Sequence, residues 1–199
     1  FSGQLVGMDI SEGNMKSVIE TSKRDTLDIV FETGTAEKLR FADESFDIVI
    51  AKHMIYHVPD MQKAVDEAYR CLKRNGLFIV TLNSGATRPL LNKVISEASK
   101  KTGIEKISHE RRLTTEMYPQ LAKKFSSTEL KEFKNQIILE DPQIYIDYLD
   151  SCRNLLNMVV TDAEWFNIIK ASEIIIKDVM KNEGKIIEQN SFGIFICRK

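Results

Sequence analysis

The sequence predicts an α/β sheet domain, and residues 41–85 carry the prediction. Two apolar runs, Phe46–Ala51 and Leu77–Leu82, have the length and β-branched content of strands buried on both faces. Between them Asp60–Arg74 has the pattern of a helix. Asp60 can cap it, and Ala64, Val65, Ala68, Cys71 and Leu72 fall three and four apart. Asn75-Gly76 then supplies residue types that tolerate the left-handed stop after a helix. Strand, helix and strand with short joints make a βαβ unit with parallel strands and a right-handed crossover.

Upstream, Gln4–Asp9 forms a short strand ending in a carboxylate. Ser11 is placed to cap a helix whose face is Met15, Val18 and Ile19 and which reaches about Arg24. Leu27–Glu32 is the next strand, followed by a loop that opens with Thr33-Gly34-Thr35-Ala36. After Gly85 helices dominate. They are expected over Arg88–Lys101, Thr114–Lys124, Ser126–Phe133, Gln143–Leu149 and Asp162–Asn182, the last capped by Thr161 or Asp162. Asn135–Leu139 is a strand broken by Asp141-Pro142, and Ile186–Gln189 with Ser191–Cys197 forms one strand bulged at Asn190. No repeat or low-complexity linker divides the chain. A single domain over 1–199 is expected: 1–85 as the cofactor-binding half, 86–124 and 143–182 as helical cap insertions, 125–142 and 183–199 as closing strands.

Composition excludes several classes. The 28 basic and 29 acidic residues leave a net charge of −1, so no global field favours nucleic acid or a membrane surface. Arg88 to Lys134 holds 11 basic and 6 acidic residues, the balance of a solvated helical face rather than of a nucleic-acid stripe. Apolar runs reach about half of the ~20 residues that a membrane span needs. Cys71, Cys152 and Cys197 are far apart and lack Cys-x-x-Cys spacing, which fits a reducing cytoplasm and neither a zinc site nor a disulfide framework. No secretion leader opens the chain. It begins at Phe1 rather than Met, from which a further N-terminal segment is expected.

Three stretches carry candidate chemistry. Asp9 stands at the carboxyl end of a parallel strand, where ligands of open α/β sheets bind and an acid can accept both hydroxyls of a ribose. Helix capping explains the same residue equally well. The loop Gly34–Glu37, one strand over, allows close backbone approach to the edge of an adenine; it also reads as an ordinary turn. Lys52-His53-Met54-Ile55-Tyr56-His57 follows the central strand. His53 and His57 are four apart, a spacing that suits zinc on one helical face, but no third ligand stands near, so no metal is expected. His57 or Tyr56 can act as a general base toward an acceptor, against the alternative of packing before the Asp60 helix. Trp165 and Phe166, with Tyr145, Tyr148 and Met158, suit either an apolar acceptor pocket or a cap core.

Val6-Gly7-Met8-Asp9-Ile10-Ser11-Glu12 resembles the second-strand motif of class I S-adenosylmethionine-dependent methyltransferases. Gly34-Thr35-Ala36-Glu37 through Phe46-Asp47-Ile48-Val49 resembles their adenine loop and fourth strand, and Glu67-Ala68-Tyr69-Arg70-Cys71-Leu72-Lys73-Arg74-Asn75-Gly76 their Glu-x-x-Arg-x-Leu-Lys-x-x-Gly helix end. The nearest group is the ubiquinone-biosynthesis-like (type 11) one, over residues 4–85. The final Phe192-Gly193-Ile194-Phe195-Ile196 resembles its antiparallel closing strand. The resemblance implies a Rossmann-like, doubly wound, mostly parallel sheet of order 3-2-1-4-5-7-6, with a helical cap.

It also implies S-adenosylmethionine as cofactor and a small-molecule acceptor. Asp9 would hold the ribose hydroxyls, with Met8 and Ile10 packed near the adenine. Thr35, the Ala36 N–H and Glu37 would read the adenine edge, and Lys52 and His53 would lie by the methionine part. The family usually has Asp where this chain has Thr35, which implies a weaker bond to the adenine amino group. Its first strand and glycine-rich loop are absent from this chain, and roughly 40 residues ahead of Phe1 are expected to hold them, on the scale of one βα unit. A non-catalytic member binding a nucleoside or a partner chain is the alternative. A nicotinamide-dependent oxidoreductase is disfavoured because no Tyr-x-x-x-Lys pair follows the central strands.

Overall fold

A computed structural model describes residues 3–24, 28–85, 87–104, 114–116, 118–153 and 160–199. The elements in order are β1 (Leu5–Asp9), α1 (Glu12–Arg24), β2 (Ile29–Thr33), β3 (Phe46–Lys52), α2 (Met61–Cys71), β4 (Leu72–Asn83), α3 (Pro89–Thr102), β5 (Ser127–Leu139), α4 (Pro142–Ser151), α5 (Asp162–Glu183) and β6 (Ile186–Arg198). Short 3-10 turns cover Ile55–His57 and Tyr118–Gln120.

The strands form two sheets. β1 and β2 pair in parallel, from Leu5 opposite Ile29 to Asp9 opposite Thr33. The second sheet has the order β3-β4-β6-β5. β3 neighbours β4, and just ahead of the two strands the N–H groups of Glu44 and Ser45 donate to the Arg70 and Cys71 carbonyls. Lys199 N–H donates to Gly76 O and Ser84 N–H to Ser191 O, an opposed pairing that makes β6 antiparallel to β4. Within each sheet the order agrees with the 3-2 and the 4-5-7-6 parts of the order that the resemblance implies.

The chain packs as two compact units. The first comprises Phe1–Val80, Pro119–Glu129 and Phe195–Lys199. In it α2 buries Ala64, Val65, Ala68 and Cys71, the three-and-four spacing that predicted the helix. Asp60 caps it by accepting Lys63 N–H at 3.0 Å. Phe125 lies edge-on to Tyr69 and stacks on Phe78. The second unit comprises Thr81–Tyr118 and Leu130–Ile194, with a core of Leu91, Val94, Ile95, Leu149, Ile168 and Ile176. Within it the buried Glu188 accepts Leu91 N–H at 2.9 Å, Leu90 N–H at 3.2 Å and the Tyr145 hydroxyl at 2.5 Å. A buried carboxylate is tolerable only with such donors. Burial and this bond hold the Tyr145 phenol far above its usual range. Thr161 and Glu164 close a reciprocal capping box on α5.

Four expectations are corrected. The helix over Ser126–Phe133 is the first half of β5: pairing with β6, where Ser126 N–H meets Arg198 O and Phe133 stacks on Phe192, overrides the helix-forming Glu-Leu-Lys sequence. Among the described residues of 114–124 only the 3-10 turn forms, with other turns after it. α2 ends at Cys71 and β4 begins at Leu72. Asn75 is left-handed (φ 64), but inside β4, and Gly76 serves close packing, since a Cβ there would lie 2.9 Å from Lys73 O and 3.1 Å from Asp47 O. Finally, β3 is not buried on both faces: Ile48 and Ile50 are 44% and 64% exposed.

Candidate functional site

Asp9 closes β1, and the chain turns at once into α1. Its Oδ1 accepts Ser11 N–H at 2.7 Å and its Oδ2 lies 3.4 Å from Asn14 Nδ2, while Ser11 Oγ accepts Asn14 N–H at 3.3 Å. Asp9 therefore does hold the helix start. A carboxylate has about four lone-pair sites, so Oδ2, with one long contact, keeps capacity for hydroxyl donors. Gly34 N–H donates to Asp9 O at 3.1 Å, drawing the loop after β2 against the end of β1. Met8 Sδ would lie 3.0 Å from a Cβ on residue 34, which explains the glycine. Ile10 is 76% exposed beside this edge.

The loop itself is a tight turn. Lys38 N–H donates to Thr35 O at 3.2 Å. Thr35 Oγ1 donates to Glu37 Oε2 at 3.2 Å and accepts Glu37 N–H at 3.3 Å. Glu37 Oε1 accepts Asp60 N–H at 2.8 Å, which ties the turn to the start of α2. Met8, Asp9, Gly34, Thr35, Ala36 and Glu37 thus share one edge of the first unit.

The second group sits past the carboxyl end of β3. Lys52 is exposed and His53 is left-handed, with φ 48. That bend and the 3-10 turn after it prevent His53 and His57 from sharing one α-helical face, so the zinc spacing does not arise. Tyr56 and His57 rings lie 4.5 Å apart. Among the described residues no group of three potential ligands could hold a metal ion. Glu37 and Asp60 link this segment to the turn after β2.

Sequence reasoning assigned no role to Glu67 and Arg70 beyond the motif they share, yet they grip the same loop. Their i,i+3 spacing on α2 was the available signal. Hydrogen bonds from Arg70 hold the Glu67 carboxyl below its ordinary range against a burial effect that raises it, and the Glu67 and Asp43 carboxylates raise the Arg70 guanidinium further.

In the second unit Trp165 is 4% exposed, packed in the core, with its indole N–H donating to Asp150 at 2.6 Å. Tyr145 is buried too, so both are core residues there. Tyr148 lies under the Arg88 guanidinium, 5.4 Å from the ring centre, and Phe166 is 59% exposed. Met158 lies outside the described residues.

The sheet order, with an acid closing β1 and a turn closing β2, is that of a Rossmann-like α/β protein. Residues 1–80 match the type 11 family model described as a methyltransferase domain. The chain is 36% identical over 70 residues to the uncharacterized methyltransferase YcgJ of Bacillus subtilis, covering 35% of this chain and 28% of that protein. It is 34% identical over 98 residues to the ubiquinone/menaquinone biosynthesis C-methyltransferase UbiE of Brucella canis, covering 49% of this chain and 34% of that one. The matches therefore span about a third of these relatives' own length. In three dimensions the chain is similar to a Bacillus halodurans protein provisionally described as a methyltransferase, with a TM-score of 0.65 and 20% identity over 99% of this chain and 83% of that one. The YcgJ structure follows with a TM-score of 0.63 and 18% identity, over 98% and 82%. At these identities the likeness is one of fold. No helix among the described residues is long and apolar enough to cross a membrane.

Proposed function

We propose that the chain transfers a methyl group from S-adenosylmethionine to a small-molecule acceptor. The observation that carries this is the joint between β1 and the turn after β2, where Gly34 N–H meets Asp9 O and Met8 covers Gly34. That joint gives a nucleoside an acid on one side and a backbone edge on the other, and Asp9 Oδ2 has acceptor capacity to spare. The adenosine half of the cofactor fits these residues. When bound, S-adenosylmethionine supplies a methyl group already activated on a sulfonium.

Asp9 would accept the ribose hydroxyls, and Met8 and Ile10 would flank the base. Thr35 and Ala36 would meet the adenine edge, with Glu37 holding their turn. Lys52 and His53 would face the methionine end. His57 or Tyr56 would take the proton that the acceptor loses. The remaining work is to align the reactants and exclude water. A cytoplasmic setting, inferred from cysteine usage, belongs to the same reading. So does the division into a cofactor-binding half and helical cap insertions, whose residues would choose the acceptor.

One observation favours the non-catalytic alternative: Thr35 and Glu37 already bond to each other. Titration with S-adenosylhomocysteine, S-adenosylmethionine and NAD tests the reading. Saturable binding of the first two and none of NAD is expected, with methyl transfer separating enzyme from binder. Preference for NAD would overturn it.

A further inference from the structure

The Arg70 guanidinium has five N–H groups, and each one has an acceptor. Nε donates to Glu67 Oε1 at 2.8 Å, and Nη2 to Glu67 Oε2 at 2.9 Å and Leu39 O at 3.0 Å. Nη1 donates to Phe41 O at 2.8 Å and Asp43 Oδ1 at 2.7 Å. Glu67 Oε2 in turn accepts Leu39 N–H at 2.9 Å. Leu39 is thus gripped at both its N–H and its carbonyl by side chains 28 and 31 residues further along. Further on, Glu44 and Ser45 donate to the carbonyls of Arg70 and Cys71.

The consequence lies upstream of Leu39. The turn that would receive the nucleoside runs from Thr35 to Lys38; Lys38 N–H to Thr35 O and the Thr35–Glu37 pair close it internally, and Glu37 is tied to Asp60 N–H, but it joins no strand ladder. A segment without a ladder depends for its placement on the groups that hold its ends. Gly34, bonded to Asp9 O, fixes one end, and Leu39 in the Glu67–Arg70 clasp fixes the other.

We propose that Arg70 and Glu67 are positioning residues for the nucleoside site: α2 sets cofactor affinity through the Thr35–Lys38 turn without touching the cofactor. The proposal rests on the reading of that turn given above. The planar fork is essential, because a lysine can satisfy only part of this acceptor set.

The test compares the parent with Arg70→Met, Arg70→Lys and Glu67→Gln, and with Lys73→Met as a control that breaks the exposed Lys73–Asp47 pair. Two quantities are read: amide hydrogen exchange in the ligand-free protein, and calorimetric affinity for adenosine and for S-adenosylhomocysteine. Arg70→Met is expected to speed exchange across residues 36–43 selectively. If the competent turn falls to a tenth of its population, both affinities weaken roughly tenfold and by the same factor. Arg70→Lys recovers part of the loss, and Lys73→Met changes neither quantity. Unchanged exchange at 36–43, a uniform rise throughout the first unit, or unchanged affinity in Arg70→Met would overturn the proposal. A parent that binds neither ligand would instead overturn the cofactor reading, with the exchange data still deciding whether the clasp holds the turn.

Discussion

The Thr35 hydroxyl donates to Glu37 Oε2 across 3.2 Å and accepts the Glu37 N–H at 3.3 Å, a closed pair in the turn after β2. The family's usual Asp at this place suggests that Thr35→Asp would tighten cofactor binding. The pair predicts otherwise, because a second carboxylate would stand against Glu37 and disfavour the ionised turn. Thr35→Asp alone should weaken S-adenosylhomocysteine binding by ~1 kcal/mol, and adding Glu37→Gln should restore it. Tighter binding by the single variant, measured by calorimetry, would refute this.

Glu67 gives the loop clasp a pH dependence. Hydrogen bonds from Arg70 hold its carboxyl below the ordinary 4.5 in the folded chain. A group depressed in this way stabilises fully above its unfolded value, and the contribution is lost as pH falls through the folded value. The stability difference between parent and Glu67→Gln should be ~1 kcal/mol at neutral pH and disappear in strong acid. Denaturant unfolding at both pH values checks it, and a constant difference would rule the carboxylate out.

Much of this was legible in the sequence because local pattern and tertiary role agreed. α2, α3 and α5 repeat apolar residues at helical spacing, and Asp60 and Thr161 are ordinary caps. Only the second half of β5, Asn135–Leu139, was legible; its first half was not, because Ser127–Phe133 is polar and helix-forming and only pairing with β6 makes it a strand. The open face of β3 was hidden too, since Ile48 and Ile50 have the composition of buried residues. Of the candidate site, the place of Asp9 at the end of β1 and of the Gly34 turn after β2 could be read from residue type and position. Of the clasp only the i,i+3 spacing of Glu67 and Arg70 was visible; its partners were not, because Arg70 binds backbone carbonyls of Leu39 and Phe41, and carbonyls carry no sequence signature.

Trp165 belongs to the core of the second unit. Trp165→Ala should cost roughly 3–5 kcal/mol, whereas Phe166→Ala, at an exposed position, should stay within about 0.5 kcal/mol. Thermal unfolding of both decides it, and equal effects would contradict the assignment.

The central claim is that Asp9 holds a ribose. Asp9→Ala removes a charge-assisted acceptor of two hydroxyls and should weaken S-adenosylhomocysteine binding by roughly 2–4 kcal/mol. Because Asp9 also accepts Ser11 N–H, Ser11→Ala serves as the control for a loosened start of α1. Calorimetric titration of the three proteins is the direct measurement. The account predicts a large loss for Asp9→Ala and a small one for Ser11→Ala; equal affinity of parent and Asp9→Ala would contradict it.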